Sequence, residues 1–307
     1  MKTGFIRCAA TVLFTLTALG GAHADDIATG DTLAKIRQNG AITLGVRESS
    51  GLAYTLGNGK YVGFHTEMAE RIIDDLSKKL GKPLKITYLP ITSANRIALV
   101  KKGIFDFECG STTNNRARAQ EAAFANTTYI EEVRIAVRKD SGIQSIADLN
   151  GKTVATTTGT TSVQLLRQNR NAKSIKFNEI RGKDHVDSFM LLESGRADAF
   201  VMDGSILAAN IAKSRQPADF IILDEVLSVE PIACMARLGD EKFLAAINEG
   251  IERQIRDGSL EQLYNKWFMQ PIPPTSTVIN LPLSASTRSA WNAPNNKPME
   301  DYPQNRH

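Results

Sequence analysis

The sequence predicts an α/β protein assembled from βαβ units. Apolar, β-rich runs at 42–46, 84–88, 104–108, 134–137, 153–157, 199–202 and 220–223 alternate with helical patterns along most of the chain. Between the first two, Met68, Ile72, Leu76 and Leu80 recur at helical spacing until Gly81 and Pro83 stop the run. A weak internal echo adds to this. Residues 102–107 and 194–199 each place a glycine at a helix end and an aspartate three residues later, as two similar lobes would; a glycine cap before a strand is also common by chance.

The N-terminus carries Lys2 and Arg7, an apolar run over 12–19, and Ala22-His23-Ala24. This is the three-part pattern of a secretory signal peptide spanning 1–24, with cleavage expected after Ala24. Cys8 precedes most of the apolar run and is badly placed for lipid attachment. No other stretch approaches the length of a membrane span, so a soluble, exported protein without direct membrane insertion is expected. Cleavage removes two bases and no acid, taking the formal charge from +4 to +2. Such a balance gives no support for nucleic-acid binding. Only Cys109 and Cys234 survive cleavage, and an oxidising compartment permits them to pair or to remain as two buried thiols.

Farther along, apolar positions from 240 to 268 recur at helical spacing and Gly258 divides them into two helices. A tail rich in Ser, Asn and Pro follows, expected to wrap a lobe and then fray.

Three βα loops gather polar and cationic residues. Thr92-Ser93-Ala-Asn-Arg96 precedes a helix over 97–102, with Ser93 as the expected N-cap and Arg96 in the first turn. Ser111 and Thr113 precede a helix expected to run toward Phe124, capped by Thr113, Asn114 or Asn115. Arg116 and Arg118 at its start call for a compensating anion, because a helix N-terminus already carries partial positive charge. The third loop, 156–162, joins a strand to a helix through Gly159 and forms an anion site, but it lacks the lysine and glycine spacing of a nucleotide loop.

Arg47 follows the first strand and Asp203 ends another, so one acid faces several bases at the carboxyl edge of the sheet. His185 opens an amphipathic helix, where capping is its alternative role. This census suits a ligand with more anionic than cationic groups. Arg118 with the Thr160 and Thr161 N–H groups would hold one carboxylate, Asp203 an ammonium, and Arg47 with Arg96 a second carboxylate. An acidic amino acid meets all of these demands.

At these loops the sequence resembles the periplasmic amino-acid-binding proteins of ABC uptake systems, solute-binding protein family 3, and most closely the glutamate/aspartate-binding members. The marks are Arg47-Glu-Ser-Ser50, Ile91-Thr-Ser-Ala-Asn-Arg96, Phe105-Asp-Phe-Glu-Cys-Gly-Ser-Thr-Thr-Asn-Asn115, Gly159-Thr-Thr-Ser162, Lys183-Asp-His185 with Asp187-Ser-Phe189, and Trp267-Phe-Met-Gln-Pro-Ile-Pro-Pro274. The resemblance implies a type II periplasmic-binding-protein fold: two βαβ lobes joined by two hinge strands, here near 132–138 and 229–236. One lobe would take 25–135 plus 232–307 and the other 136–231, which brings Cys109 and Cys234 into one lobe. It also implies that Arg118, Ser111, Thr113 and Thr161 grip an α-carboxylate. Asp203 would take the ammonium, while Arg47, Ser93, Arg96 and His185 would surround the distal carboxylate. Gly51-Leu-Ala-Tyr54 departs from relatives that carry a proline and an aromatic there, and Gly204 replaces a second acid.

The function so implied is capture of L-glutamate or L-aspartate by closure and delivery to an inner-membrane ABC permease complex, by a monomer needing no cofactor or metal. A lyase or dehydratase on the same fold and a sensory receptor domain are the alternatives. No Ser/His/Asp order, metal-ligand spacing or glycine-rich cofactor loop supports an enzyme.

Overall fold

The computed structural model describes Met1 and residues 31–304 apart from Lys173, so the expected signal peptide lies outside the described residues. Among those described, no helix is long and apolar enough to cross a membrane.

The chain begins with α1 (Thr32–Asn39), β1 (Ala41–Val46), the hairpin β2 (Tyr54–Gly57) and β3 (Lys60–Val62), α2 (Phe64–Leu80), β4 (Lys85–Pro90), α3 (Arg96–Lys101), β5 (Phe107–Glu108) and α4 (Arg116–Ala119). A 17-residue strand, β6 (Ala122–Arg138), then carries it across to β7 (Thr153–Thr157), α5 (Thr161–Ala172), β8 (Asn178–Gly182), α6 (His185–Glu193), β9 (Ala199–Asp203), α7 (Gly204–Ala212) and β10 (Phe220–Ile222). The return strand β11 (Ser228–Arg237) leads to α8 (Glu241–Arg256), α9 (Ser259–Phe268) and α10 (Ala285–Asn292).

Apart from β2 and β3, which pair in a sheet of their own, the strands form one sheet in the order β4-β1-β5-β11-β6-β9-β7-β8, with β10 on β6. β1 runs parallel to β4 and β5, and β7 runs parallel to β8 and β9. Between these parallel sets stand the antiparallel partners β6 and β11, in register from Val133 opposite Ser228 to Ala122 opposite Arg237, with irregularities near Ala233. Bulges of this kind bend a strand.

Each side of the central pair has its own core. Along β9, Ala199 and Val201 join a cluster with Val133, Ile135, Val154 and Leu166, while Phe200 and Met202 join another with Ala155, Phe189 and Leu207. Alternate residues thus fill opposite faces, and covering both faces explains why these strands read as continuous apolar runs. On the other side, Ile42, Leu44, Met68, Ile72, Phe243, Ile247 and Leu263 form the largest cluster. There Tyr129 of β6 stacks with Phe268, and Tyr264 lies 4.5 Å from Phe268, tying the crossing strand to the C-terminal helices. Cys109 and Cys234 are joined by a disulfide between the end of β5 and β11.

Several elements differ from expectation. The strand expected over 104–108 is only Phe107–Glu108, because the Asp106 carboxylate turns to take the Thr43 N–H at 2.7 Å and Lys35 Nζ at 2.8 Å. The helix expected to reach Phe124 ends at Ala119. Ala122 and Phe124 instead start β6 and pack with Ile91, Val100, Phe105 and Met235. β8 and the β2/β3 hairpin carry too few apolar residues to stand out in sequence. The tail stays packed through residue 304 rather than fraying: Trp291 Nε1 donates to Thr128 O at 2.9 Å and Asn114 Nδ2 to Asn296 O at 2.8 Å.

A disulfide closing a loop of 125 residues restricts the unfolded chain more than the folded one. Reduction is expected to lower the unfolding free energy by about 2–5 kcal/mol in denaturant titrations, and a thiol titration of denatured, unreduced protein is expected to find no free sulfhydryl at Cys109 or Cys234.

Candidate functional site

Apart from Arg118, the candidate residues stand at the carboxyl ends of parallel strands, and the topology turns those ends of the two parallel sets toward each other. Arg47 follows β1, Ser93 and Arg96 follow β4, and Ser111 and Thr113 follow β5; Thr161 follows β7, His185 follows β8, and Asp203 ends β9. Arg118 lies in α4, where the Asn115 side chain caps the helix by accepting the Arg118 N–H at 2.8 Å.

Arg47 is 1% exposed and donates to Ser111 Oγ at 3.1 Å, Ser93 Oγ at 3.0 Å and His185 Nε2 at 3.1 Å. Ser93 therefore serves as an acceptor for Arg47 and does not cap α3, whose N-cap residue is Asn95. Arg96 is equally buried and donates to Ser111 O at 3.0 Å. Arg118, partly buried, donates to Thr113 O at 3.0 Å and reaches across to Gly159 O at 3.3 Å. Among the described residues none of these three guanidiniums lies in an ion pair, and Nε of Arg47 and of Arg96 is buried without a partner. Burial, with Arg118 and Arg47 nearby, pushes Arg96 well below its usual pKa. Arg116 is a different case: it pairs with Asp301 at 2.5 Å and its N–H meets Glu300 at 3.1 Å, so it faces the tail rather than the crevice.

A guanidinium can only donate, so His185 Nε2 accepts from Arg47 and the ring proton sits on Nδ1, 3.1 Å from Thr157 Oγ1. Burial, then the Arg47 charge, lowers His185 to about 3, which keeps the ring neutral. The helix cap at this point is Asp184, whose carboxylate accepts the His185 N–H.

The Asp203 carboxylate is buried, and no described residue donates a hydrogen bond to it. Burial and the neighbouring Glu230 raise it to about 7, against the opposing pull of Arg96, Arg118 and Arg47. The expectation of one acid facing several bases is corrected here, because Glu108, Glu131 and Glu230 are also buried around the crevice. Glu108 accepts the Thr112 hydroxyl. Glu131 accepts the Ser205 N–H at 3.2 Å and its hydroxyl, and burial together with Asp203 raises Glu131 well above the ordinary range, favouring its neutral form. Glu230 accepts from Thr113 Oγ1 at 2.6 Å, Thr161 Oγ1 at 2.7 Å and Ser228 Oγ at 2.8 Å. The sequence signal for these acids was their interruption of otherwise apolar strands, at Glu131 in β6 and at Ser228 and Glu230 on one face of β11.

Two glycines permit the close approach across the crevice. Gly159 has φ +82, and a Cβ there would stand 2.6 Å from the Ala94 backbone. Gly51 faces α7 so closely that a Cβ would fall on the Ser205 carbonyl. The departure noted over 51–54 is thus a point of contact between the two sides.

Comparison with known proteins adds independent findings. Residues 42–270 match the family described as bacterial extracellular solute-binding proteins, family 3. The glutamate/aspartate import solute-binding protein of Salmonella typhimurium is 41% identical over 91% of this chain and 94% of its own length. The protein of that name from Escherichia coli (strain K12) is 40% identical over 96% of this chain and 99% of its own. Among solved structures, a mutant of ArgBP from T. maritima superposes with a TM-score of 0.69 at 28% identity, covering 78% of this chain and all of that one.

Gly51→Ala is expected to prevent the two sides from meeting while leaving each core intact. Small-angle scattering should then give a larger radius of gyration than wild type at an unchanged melting temperature within about 2 °C, since parting of the two sides relieves the clash with the Ser205 backbone without displacing either core.

Proposed function

This chain belongs to the bacterial extracellular solute-binding proteins, family 3, and we propose that it captures L-glutamate or L-aspartate between its two lobes in the periplasm and delivers it to an ABC permease complex. The observation that carries this reading is the convergence of Arg47, Arg96 and Arg118 on one crevice, each held by neutral oxygens and, among the described residues, none in an ion pair. The import names of relatives at 40–41% identity support the same ligand class.

In this reading Arg118, with Ser111, Thr113 and Thr161, receives the α-carboxylate. Asp203 receives the ammonium, and Arg47, Ser93, Arg96 and His185 surround the distal carboxylate. For His185 to donate to that carboxylate its proton must move from Nδ1 to Nε2, which frees one Arg47 Nη2 N–H for the ligand while the other stays on Ser93 Oγ. Because the contributing residues come from both sides of the crevice, only the closed arrangement satisfies every charge. Closure is thereby coupled to occupancy.

The lobes are assigned as 25–135 plus 232–307 and 136–231, a division supported by the separate cores on either side of β6 and β11. Residues 1–24 are read as a signal peptide, which supports a periplasmic location, and the protein is proposed to act as a monomer. It is read as a carrier and not an enzyme, and the turnover assay that would say otherwise is loss of glutamate or aspartate on prolonged incubation.

Glutamine offers a neutral amide where glutamate offers a carboxylate, leaving a buried guanidinium short of its anion at a cost of about 1–3 kcal/mol. Calorimetry on ligand-stripped protein is expected to show glutamate bound at least about tenfold more tightly than glutamine. Equal affinities would refute the distal pocket.

The pH dependence follows from Asp203. Its free carboxyl titrates near 7, and an adjacent ammonium favours the ionised form, so binding expels a proton at pH values below 7. The association constant is expected to rise with pH up to about 7 and level off above it. Calorimetry at pH 6 in two buffers of different ionisation enthalpy should register the released proton.

A further inference from the structure

Glu230 lies on β11, the return strand between the two sides, and is fully buried. Its Oε2 accepts the hydroxyls of Thr113 and Thr161, which approach from opposite sides of the crevice, while Oε1 accepts from Ser228. A threonine hydroxyl carries one proton. Thr113 and Thr161 can each give that proton to Glu230 or to a bound anion, but not to both.

We infer that Glu230 is a positioning residue that sets affinity from within the hinge: its carboxylate competes with the ligand's α-carboxylate for the protons of Thr113 and Thr161. Binding turns both hydroxyls from Glu230 to the ligand, leaving the carboxylate with Ser228 alone and placing two anions near one another. Glu230 thereby draws the two sides together without ligand and weakens the hold on ligand once it has entered. A carrier that must release its cargo has use for such a group. The inference rests on the reading of the crevice as an α-amino-acid site.

Glu230→Gln preserves the shape. Ser228 continues to donate to the amide oxygen, so the amide NH2 faces Thr113 and Thr161 and donates to their oxygens, freeing both hydroxyl protons for the ligand. The test is calorimetry of wild type and E230Q with L-glutamate and with isoglutamine, in which the α-carboxylate is an amide and the side-chain carboxylate is kept. E230Q is expected to bind glutamate about tenfold or more tightly than wild type and to improve isoglutamine by less than about threefold. Unchanged or weaker glutamate binding by E230Q would overturn the inference, since a merely structural Glu230 predicts loss; so would an equal gain for both ligands, which would mark a general charge effect. Wild type that binds neither glutamate nor aspartate would overturn the underlying reading as well, which distinguishes the two failures. Should E230Q not fold, Glu230→Asp, whose carboxylate is retracted by one methylene from the two hydroxyls, is expected to give the same selective gain, and its absence would be equally decisive.

Discussion

Arg47 and Arg96 are buried cations held by neutral partners, and the rest of the crevice is arranged around that constraint. Removing a guanidinium from water costs several kcal/mol even after relaxation. Here two serine hydroxyls, one backbone carbonyl and a neutral histidine offset part of that cost, and Nε of each arginine is left without an acceptor. A planar carboxylate offers two acceptor oxygens and a charge of the right sign at once, which no neutral partner supplies. Selectivity for an anion is therefore built into what the fold leaves incompletely paired.

The scaffold makes this possible by separating stability from the site. Cores on both sides of β6 and β11 are apolar and largely separate, and the crossing strand is anchored by Tyr129 against Phe268 and by Trp291 beneath Thr128. The apolar cores can then offset the cost of the charged groups buried at the strand ends. Contacts across the crevice are few and specific. Arg118 reaches Gly159, Ser49 donates to Asp184, and Ala209 of α7 joins the larger core. Lys213 sits 3.4 Å over the Tyr54 ring, where burial lowers it to about 8.

Much of the fold was legible because it is local. Helical spacing in α2 and α8, apolar runs in β1, β7 and β9, and βα loops rich in Ser, Thr and Arg all sit in continuous stretches, and the candidate residues lie where strand ends predict. What the sequence hid depends on register. Glu131 and Glu230 become neighbours of Asp203 only because two long strands pair across the middle of the molecule, so counting one acid against several bases misjudged the electrostatics. Ser93 looked like a helix cap by position, yet Arg47 claims its hydroxyl from another strand. The short α4 was misread as a longer helix because Ala122 and Phe124 fit either period until tertiary packing assigns them to β6.

The central claim is that the three guanidiniums form a receptor for two carboxylates on one small molecule. A crystal structure of the protein grown with L-glutamate tests it most directly. The account predicts the α-carboxylate on Arg118, the ammonium on Asp203, and the side-chain carboxylate within hydrogen-bond distance of Arg47 or Arg96. Glutamate bound in the opposite orientation, or elsewhere with Arg47 and Arg96 still on their neutral partners, would contradict it.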